Sequence, residues 1–389
     1  MKLITSLLLV MFDMALARPS SHQTTGKHYD CKSFDVPITV SDIPTLALPF
    51  LPVEDQYQAT NVLNMLTART QSGAAPKLVN ISGSYNIATQ YCFPIDQTLQ
   101  VSTTLQVLTH GLGCNASWWD FYLSSNQSDT QYSYISAATA AGYSTLSYNR
   151  LGISGSTLAN PDTEVQSPVE LSILAQLTQL AREGKLFDQQ PRPSKTIHVG
   201  HSYGSFLTHA LVAAEPSLSD GVILTGYSNQ QMYGSAFLIN SNLLLASVAN
   251  STRFPPSHYP SGYATWPSQW SNQYAFFAYP EFDPAVLAQA EATKEPFTIA
   301  EFVSFPLLVL DAPSFKGPVF YLNAEKDQIM CGFNCTGLVG RGTDAYNAFN
   351  GTSDIESLVI AGAGHFLNLH YSAHETYASI NDWVKRHGF

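Results

Sequence analysis

The pentapeptide Gly-His-Ser-Tyr-Gly at residues 200–204 contains a serine, Ser202, whose hydroxyl could act as a nucleophile. The apolar run Thr196–Val199 comes before it, and a helix-like stretch that begins with small residues follows it. A serine at a sharp turn between a strand and a helix has strained backbone angles and an exposed hydroxyl, and flanking glycines let the two elements pass closely. The pattern predicts that Ser202 is a nucleophile for acyl transfer.

A histidine that takes the serine proton is expected on a loop after a late strand. His365 follows the apolar run Ser357–Ile360 through a glycine-rich turn, which predicts that its imidazole lies at the carboxyl edge of the sheet. His370 and His374 are the alternatives, and their four-residue spacing could also form a metal pair on a helix. Neither follows a strand directly, so we expect both to face solvent and His365 to be the base.

The carboxylate that orients this base is expected after the preceding strand. The run Val319–Leu322 leads into Asp327, and Glu325, two residues earlier, is the alternative. The candidates follow one another along the chain in the order serine, acid, histidine, which distinguishes one triad architecture from the other common ones. This order favours Asp327 as the acid.

An acyl-transfer site also needs N–H groups that bind the oxyanion. One is expected from the residue after the nucleophile, Tyr203. The other is expected from a turn after an earlier strand, and the sequence His-Gly-Leu-Gly at residues 110–113 predicts the N–H of Leu112. These groups need neither a cofactor nor a metal.

Short apolar runs alternate with longer segments that carry apolar residues at helical spacing. This alternation predicts a mostly parallel sheet covered by helices. The predicted strands are Thr104–Thr109, Ser144–Tyr148, Thr196–Val199, Gly221–Leu224, Val319–Leu322 and Ser357–Ile360, and the predicted helices are Val169–Arg182, Phe206–Ala214 and Glu375–Val384.

Charge and composition argue against one class of protein and bound the size of the core. The formal net charge is -11 and lysine and arginine form no cluster, which argues against nucleic-acid binding. With 389 residues and 45% hydrophobic residues, the chain can form a large core.

The five cysteines allow two disulfides and one thiol, and we expect Cys31 to pair with Cys92, Cys331 to pair with Cys335 and Cys114 to be free. A zinc site at the second pair lacks further ligands.

The N-terminus has the features of a secretory signal peptide. Lys2 precedes an apolar run and an Ala-Leu-Ala motif, so we expect residues 1–17 to be removed and the protein to be secreted. The best candidate for a membrane span, Phe237–Ala249, is interrupted by polar residues, which predicts no span. Export would allow glycosylation at the acceptor sites Asn80, Asn115, Asn126, Asn250, Asn334 and Asn350.

From about Tyr85 to the C-terminus, these residues together resemble the α/β-hydrolase superfamily. The resemblance rests on His110-Gly111, Ser202, Asp327 and His365, and on an Asn149-Arg150-Leu151-Gly152 segment that is similar to the family's Asp-Arg-x-Gly. Asn149 and Ala324 depart from the family's usual aspartate and glycine.

The resemblance implies a helical cap inserted after the sixth strand, at the aromatic-rich residues 226–310. Residues 18–225 and 311–389 would then be the two parts of the hydrolase core. The implied activity is that of a secreted serine hydrolase cleaving a carboxylic ester of an apolar small molecule. Epoxide hydrolases and haloalkane dehalogenases of this fold have an aspartate where this chain has Ser202.

Several other functions are open alternatives. Lipase, peptidase and thioesterase chemistry would use the same residues. A tailoring enzyme of specialised metabolism would use the same site for condensation or cyclisation. A catalytically silent binding protein would retain the fold without the reaction. The sequence does not indicate an oligomeric state.

Overall fold

The computed structural model describes residues 28–48, 52–68, 76–96, 101–123, 129–186, 192–229 and 233–389. The predicted signal peptide at residues 1–17 and the acceptor site at Asn126 lie outside these ranges. The strands along the chain are β1 (Tyr29–Ala47), β2 (Lys77–Pro94), β3 (Thr104–Thr109), β4 (Ser144–Tyr148), β5 (Lys195–His201), β6 (Gly221–Thr225), β7 (Leu244–Leu245), β8 (Tyr263–Thr265), β9 (Phe297–Thr298), β10 (Val319–Ala324) and β11 (Ile355–Ile360).

Eight of these strands form one sheet in the order β1-β2-β4-β3-β5-β6-β10-β11. Six neighbouring strands of this sheet, β4, β3, β5, β6, β10 and β11, pair in parallel. They are the six strands that the sequence predicted. In β3, β4, β6 and β10 every side chain is buried, because a parallel sheet is covered on both faces. The prediction of a mostly parallel sheet flanked by helices is confirmed.

The strands β1 and β2, which sequence reasoning did not predict, form a long antiparallel pair at one edge of the sheet. The disulfide Cys31–Cys92 joins directly opposite residues of the two strands. At the other end of β1, the backbone of Leu46 exchanges two hydrogen bonds of 2.8 Å with the side chain of Gln166. The disulfide therefore holds the two strands together, while Gln166 and the pairing of β2 with β4 attach them to the body.

Helices cover both faces of the sheet and divide the core into two layers. On one face, helices α3 and α4 pack against Leu105 and Val107 of β3, and on the other, α2 and α12 pack against Ile197 and Val199 of β5. The helices are α1 (Gln56–Thr67), α2 (Tyr134–Ala140), α3 (Ser167–Arg182), α4 (Tyr203–Ala214), α5 (Gly234–Ser241), α6 (Ala246–Ala249), α7 (Gln269–Phe276), α8 (Pro284–Thr293), α9 (Ile299–Val303), α10 (Gln328–Cys331), α11 (Asp344–Asn347) and α12 (Ala373–Arg386).

The segment between β6 and β10 contains the five helices α5 to α9 and a small antiparallel sheet of β7, β8 and β9. Its helices are short, between four and ten residues. Across the described ranges, each helix is too short or too polar to cross a lipid bilayer.

Candidate active site

Ser202 occupies a strained turn between β5 and α4. Its backbone angles are φ 54° and ψ −118°, a conformation that costs a non-glycine residue of order 1–3 kcal/mol. A Cβ atom at Gly200 would lie 2.6 Å from the Cα of Ser205, and one at Gly204 would lie 2.0 Å from the carbonyl oxygen of Thr109. Both positions therefore require glycine, and the turn presents the half-exposed Ser202 at the end of the strand.

The side chains of Asp327 and His365 meet at the carboxyl ends of β10 and β11. His365 Nδ1 lies 2.6 Å from Asp327 Oδ2, and both side chains are fully buried. The other oxygen of Asp327 accepts a 2.9 Å hydrogen bond from the backbone N–H of Met330, which fixes the carboxylate at the start of α10. The alternative acid, Glu325, accepts the N–H of Gly362 instead.

The imidazole of His365 also lies close to the elbow. Its ring centroid is 5.0 Å from that of His201, the residue before Ser202, and a Cβ atom at Gly226 would contact both rings. His365 Nε2 has no hydrogen-bond partner among the described residues, and Ser202 Oγ forms no hydrogen bond with it. A base and its nucleophile are often farther apart before substrate binds than during the reaction. The free Nε2 is the atom that would take the serine proton.

The turn after β3 packs directly against the elbow. A Cβ atom at Gly111 would lie 3.1 Å from the Cβ of Ser202, closer than an ordinary van der Waals contact, so glycine favours this approach. Neither the Leu112 N–H nor the Tyr203 N–H donates a hydrogen bond to another described residue. Tyr203 is the first residue of α4, where helix N–H groups have no partner within the helix. The two predicted oxyanion donors therefore lie on segments that adjoin Ser202.

His201 and Trp118 form part of the buried wall beside the base. Their rings stack with centroids 4.5 Å apart, and His201 Nδ1 is 3.1 Å from the hydroxyl of Thr225. Burial, with the neighbouring His365 and His110, lowers the pKa of His201 well below its ordinary value, so the ring is neutral. Sequence reasoning did not assign His201 a role, although it belongs to the pentapeptide.

Aromatic residues from the segment 226–310 contact both halves of the site. The ring of Phe276 stacks on Phe366, the residue after the candidate base, with centroids 4.1 Å apart. The ring of Phe305 stacks on Tyr203, the residue after the candidate nucleophile, with centroids 4.9 Å apart. The segment therefore packs against the two turns that carry the reacting groups.

The structure corrects the prediction for His370. This residue is fully buried, and its Nε2 accepts 3.0 Å hydrogen bonds from the backbone N–H groups of Gly364 and Ala278. Its Nδ1 donates to the carbonyl oxygen of Phe366 at 2.9 Å, and burial lowers its pKa to about 4. The prediction that it faces solvent was wrong because backbone partners from two loops satisfy the ring. His374 is exposed, as predicted.

An apolar cavity of about 310 Å³ lies beside the helices α4 and α10, which follow Ser202 and Asp327. Phe206 is among its walls, and the backbone N–H of Phe206 donates to the carbonyl oxygen of Ser202 at 3.2 Å. Met330, whose N–H bonds Asp327, forms another part of the wall. Phe237, Phe302 and Phe305 line the side that belongs to the segment 226–310. The volume falls in the range typical of sites for small molecules.

The cysteines pair as the sequence predicted. Cys31 bonds Cys92, Cys331 bonds Cys335, and Cys114 is free and buried. Because Cys331 and Cys335 form a disulfide, neither offers the thiolate that zinc requires. Burial raises the pKa of Cys114 to about 12, which keeps this neighbour of the Leu112 turn a neutral thiol.

Comparison with known proteins agrees with this fold. The sequence matches the model of the alpha/beta hydrolase family over residues 106–379. No curated protein sequence matches the chain. The structure is similar to a thermophilic esterase from Thermogutta terrifontis, with 12% identity, a TM-score of 0.52, and coverage of 79% of this chain and 96% of the esterase.

Two further solved structures show the same likeness. An esterase from Exiguobacterium antarcticum has 14% identity and a TM-score of 0.51, with 77% of this chain and 96% of the esterase covered. A laboratory-evolved variant of potato epoxide hydrolase has 13% identity and a TM-score of 0.50, with 78% of this chain and 96% of that chain covered. Because the family model matches well over half of the sequence, the chain belongs to the alpha/beta hydrolase family. Membership of this family supports the conclusion that the protein is a hydrolase.

Proposed function

We propose that this protein is a secreted serine hydrolase that cleaves a carboxylic ester of an apolar small molecule through an acyl-enzyme. The observation that carries the proposal is the 2.6 Å contact of His365 with Asp327, beside a serine whose strained backbone adjoins two N–H groups. A nucleophile, an oriented base and oxyanion donors are the components that acyl transfer requires.

In this mechanism His365 Nε2 removes the proton of Ser202, and the alkoxide attacks the ester carbonyl. The N–H groups of Leu112 and Tyr203 bind the oxyanion that forms. His365 then gives its proton to the departing alcohol, which leaves the acyl group on Ser202. Water, deprotonated by His365, then attacks the acyl-enzyme, and His365 returns this proton to the Ser202 oxygen as the acid leaves. Asp327 stabilises the charged imidazole and holds its Nδ1–H, without itself taking the proton.

The apolar cavity supports an uncharged, apolar acyl or aryl group in the substrate. Its aromatic walls offer dispersion contacts and carry no charge that would bind a phosphate or a carboxylate. In this proposal residues 226–310 act as a cap, because Phe276 and Phe305 contact the turns after the base and the nucleophile.

Export is the part of the proposal that concerns localisation. Disulfides form and persist in oxidising compartments, and this chain has two. The acceptor residues Asn80, Asn250, Asn334 and Asn350 are all exposed. Analysis of the secreted protein's N-terminus tests this part, and a mature chain that still contains residues 1–17 would contradict it.

The central test is the S202A variant assayed on p-nitrophenyl butyrate. We expect kcat to fall by about 10⁴-fold or more, because the nucleophile and its base act as a unit. The variant Ser379→Ala is the matched control, since its hydroxyl bonds only the preceding turn of α12. A fluorophosphonate probe should label the wild type and Ser379→Ala and not S202A. Undiminished turnover by S202A would refute the assignment.

The substrate class is tested separately with p-nitrophenyl esters of increasing acyl length. An apolar cavity predicts that kcat/KM rises from acetate towards longer chains, at about 0.8 kcal/mol per buried methylene. Turnover of acetate alone would contradict the apolar preference while leaving the serine mechanism intact. Mass spectrometry of the products distinguishes hydrolysis from condensation.

A further inference from the structure

The carbonyl of Gly111 and the N–H of Leu112 belong to one peptide group. A peptide group is planar and trans, so its C=O and N–H point in opposite directions and rotate together. The Gly111 oxygen accepts hydrogen bonds from Arg150 Nη2 at 3.3 Å and from His110 Nδ1 at 2.9 Å. These two donors therefore determine where the Leu112 N–H points.

The ring of His110 is itself oriented by Arg150. The backbone N–H of Arg150 donates to His110 Nε2 at 3.2 Å, so Nδ1 carries the hydrogen that is donated to Gly111. Burial and the nearby guanidinium lower the pKa of His110 well below its ordinary value, which keeps the ring neutral. One hydrogen bond to the Gly111 carbonyl thus comes from the side chain of Arg150, and the other comes from a ring that the Arg150 backbone orients.

Arg150 also lies against the residue that supplies the other N–H. Its guanidinium carbon is 4.5 Å from the ring centroid of Tyr203, whose hydroxyl donates to Glu170. Arg150 Nη1 contacts Glu170 Oε1 at 2.6 Å and also contacts Glu301. All four side chains are buried, and Arg150 contacts both segments that carry the two N–H donors.

Glu301 comes from α9, in the segment 226–310. Its Oε2 accepts the backbone N–H of Thr298 at 3.0 Å, and its own N–H donates to the Thr298 hydroxyl, which completes a capping box. The Thr298 hydroxyl in turn donates to the carbonyl oxygen of Val165 at 2.9 Å. Glu301 is therefore held by its own helix and by the body while its other oxygen contacts Arg150.

The charges of the cluster explain why a substitution of Arg150 would disturb its buried partners. Burial raises the pKa of Glu170 well above its ordinary value, and Arg150 opposes this shift. Removing one partner of a buried ion pair leaves a charge without compensation. A lysine supplies the charge but lacks the planar fork with which Arg150 reaches a carbonyl and two carboxylates at once.

We propose that Arg150 is a positioning residue that sets the direction of the Leu112 N–H, and that Glu301 in the segment 226–310 holds Arg150 in place. The proposal rests on the proposed function, in which that N–H binds the oxyanion. It makes the geometry of the oxyanion site depend on a contact between the hydrolase core and the inserted segment.

The test compares R150K and E301Q with R182K. Arg182 forms a partly exposed ion pair with Asp220 on the outside of α3, so R182K is the matched control. Steady-state kinetics on p-nitrophenyl butyrate should show kcat lowered by about 10²-fold in R150K and about 10-fold in E301Q, with KM within about twofold, because the donor acts mainly in the transition state. R182K should behave as the wild type.

A boronic acid inhibitor provides a second readout, since its tetrahedral adduct on serine occupies the oxyanion site. Its affinity should fall in R150K in parallel with kcat, while the affinity for the product alcohol stays unchanged. A folded R150K with wild-type kcat and boronate affinity would overturn the proposal. A loss confined to KM would also overturn it.

Crystals of R150K provide a readout that requires no turnover. We expect the Gly111–Leu112 peptide to be rotated or poorly ordered in R150K and unchanged in R182K. An unchanged peptide in R150K would overturn the proposal. A wild type that neither cleaves esters nor reacts with a fluorophosphonate would refute the proposed function alone, because the crystals would still decide the role of Arg150.

Discussion

Gly226 lies against the imidazole of His365. A Cβ atom at Gly226 would stand 3.2 Å from Cε1 of His365 and 3.1 Å from Cε1 of His201. The residue directly follows β6 and has a φ of 53°, which side chains rarely adopt. A side chain at the end of β6 would therefore press on the ring of the candidate base.

The first prediction is that Gly226→Ala lowers kcat by about 10-fold or more. The methyl group would displace the imidazole, and misplacement of a reacting group by about 1 Å can cost about 10²-fold. Gly337→Ala is the control, because Gly337 also has a positive φ of 76° but no atom within 4 Å of its Cβ position. Both variants should lose about 1 kcal/mol of stability from the backbone. Equal kcat values in the two would contradict the prediction.

The second prediction separates the two carboxylates after β10. Asp327→Asn should lower kcat by about 10⁴-fold, because an amide favours the wrong tautomer of His365. The fold should survive, since an asparagine can still accept the N–H of Met330 at the start of α10. Glu325→Gln should keep kcat within about twofold. Thermal unfolding verifies that both variants are folded, and a greater loss in Glu325→Gln would reverse the assignment.

The third prediction concerns acid stability. Burial lowers the pKa values of His198 and His209 to about 3 and that of His370 to about 4, from 6.5. Below pH 6.5 the unfolded chain binds protons that the folded chain does not, so the free energy of unfolding falls as the pH falls towards these values. Each such histidine contributes about 1.4 kcal/mol per pH unit to this loss.

Urea unfolding at pH 7, 6, 5 and 4.5 measures this slope. His198→Gln should reduce the dependence of the unfolding free energy on pH by the share of one histidine, about 1.4 kcal/mol per pH unit. The variant should still fold, because the neutral glutamine side chain can bond Thr178 and Ser219. His374→Gln, at an exposed position, should leave the slope unchanged. The prediction fails if the two variants have the same slope.

The fourth prediction compares the two disulfides. Cys31–Cys92 closes a loop of 61 residues, and Cys331–Cys335 closes one of 4. Loop closure in the unfolded chain then predicts a loss of about 4 kcal/mol when the first pair is replaced by serine, against about 2 kcal/mol for the second. Denaturant unfolding of the two double variants measures both losses. A larger loss from the short loop would be the contrary result.

The fifth prediction is that glycan occupancy differs among the acceptor sites. Asn115 is half-buried, its side-chain amide donates to Glu295 Oε1 at 3.1 Å, and its oxygen caps the turn at Ser117. A glycan needs that amide nitrogen, so Asn115 should be unmodified in protein secreted from eukaryotic cells. The exposed sites Asn80, Asn250, Asn334 and Asn350 should carry glycans. Peptide mass spectrometry after deglycosylation in ¹⁸O water reads each site, and a fully occupied Asn115 would contradict the prediction.

The strands β1 and β2 show why part of the fold escaped sequence reasoning. Apolar residues alternate at Phe34, Val36, Ile38 and Val40, which is the signature of a half-buried strand, but Pro37 interrupts the run. Proline is tolerated because β1 is an edge strand. The alternation could have indicated β1, whereas its pairing with β2 depends on contacts across a long stretch of chain.

Local patterns in the sequence were enough to predict the six parallel strands, the elbow at Ser202 and the segments that carry Asp327 and His365. Buried parallel strands are short apolar runs that end in glycine-rich turns, so both features are encoded within a few residues. The side chain of His370 was misassigned because a histidine's burial depends on partners elsewhere in the chain, here the N–H of Ala278.

The cluster of Arg150, Glu170 and Glu301 was decided by tertiary structure alone. Each glutamate sits in a helix where a solvent-facing carboxylate would fit the pattern equally well. They become buried partners of one guanidinium only because α3 and α9 pack at the same end of β4. Residue order specifies which groups can react, but the direction of an N–H and the charge of a buried cluster depend on distances between segments that folding brings together.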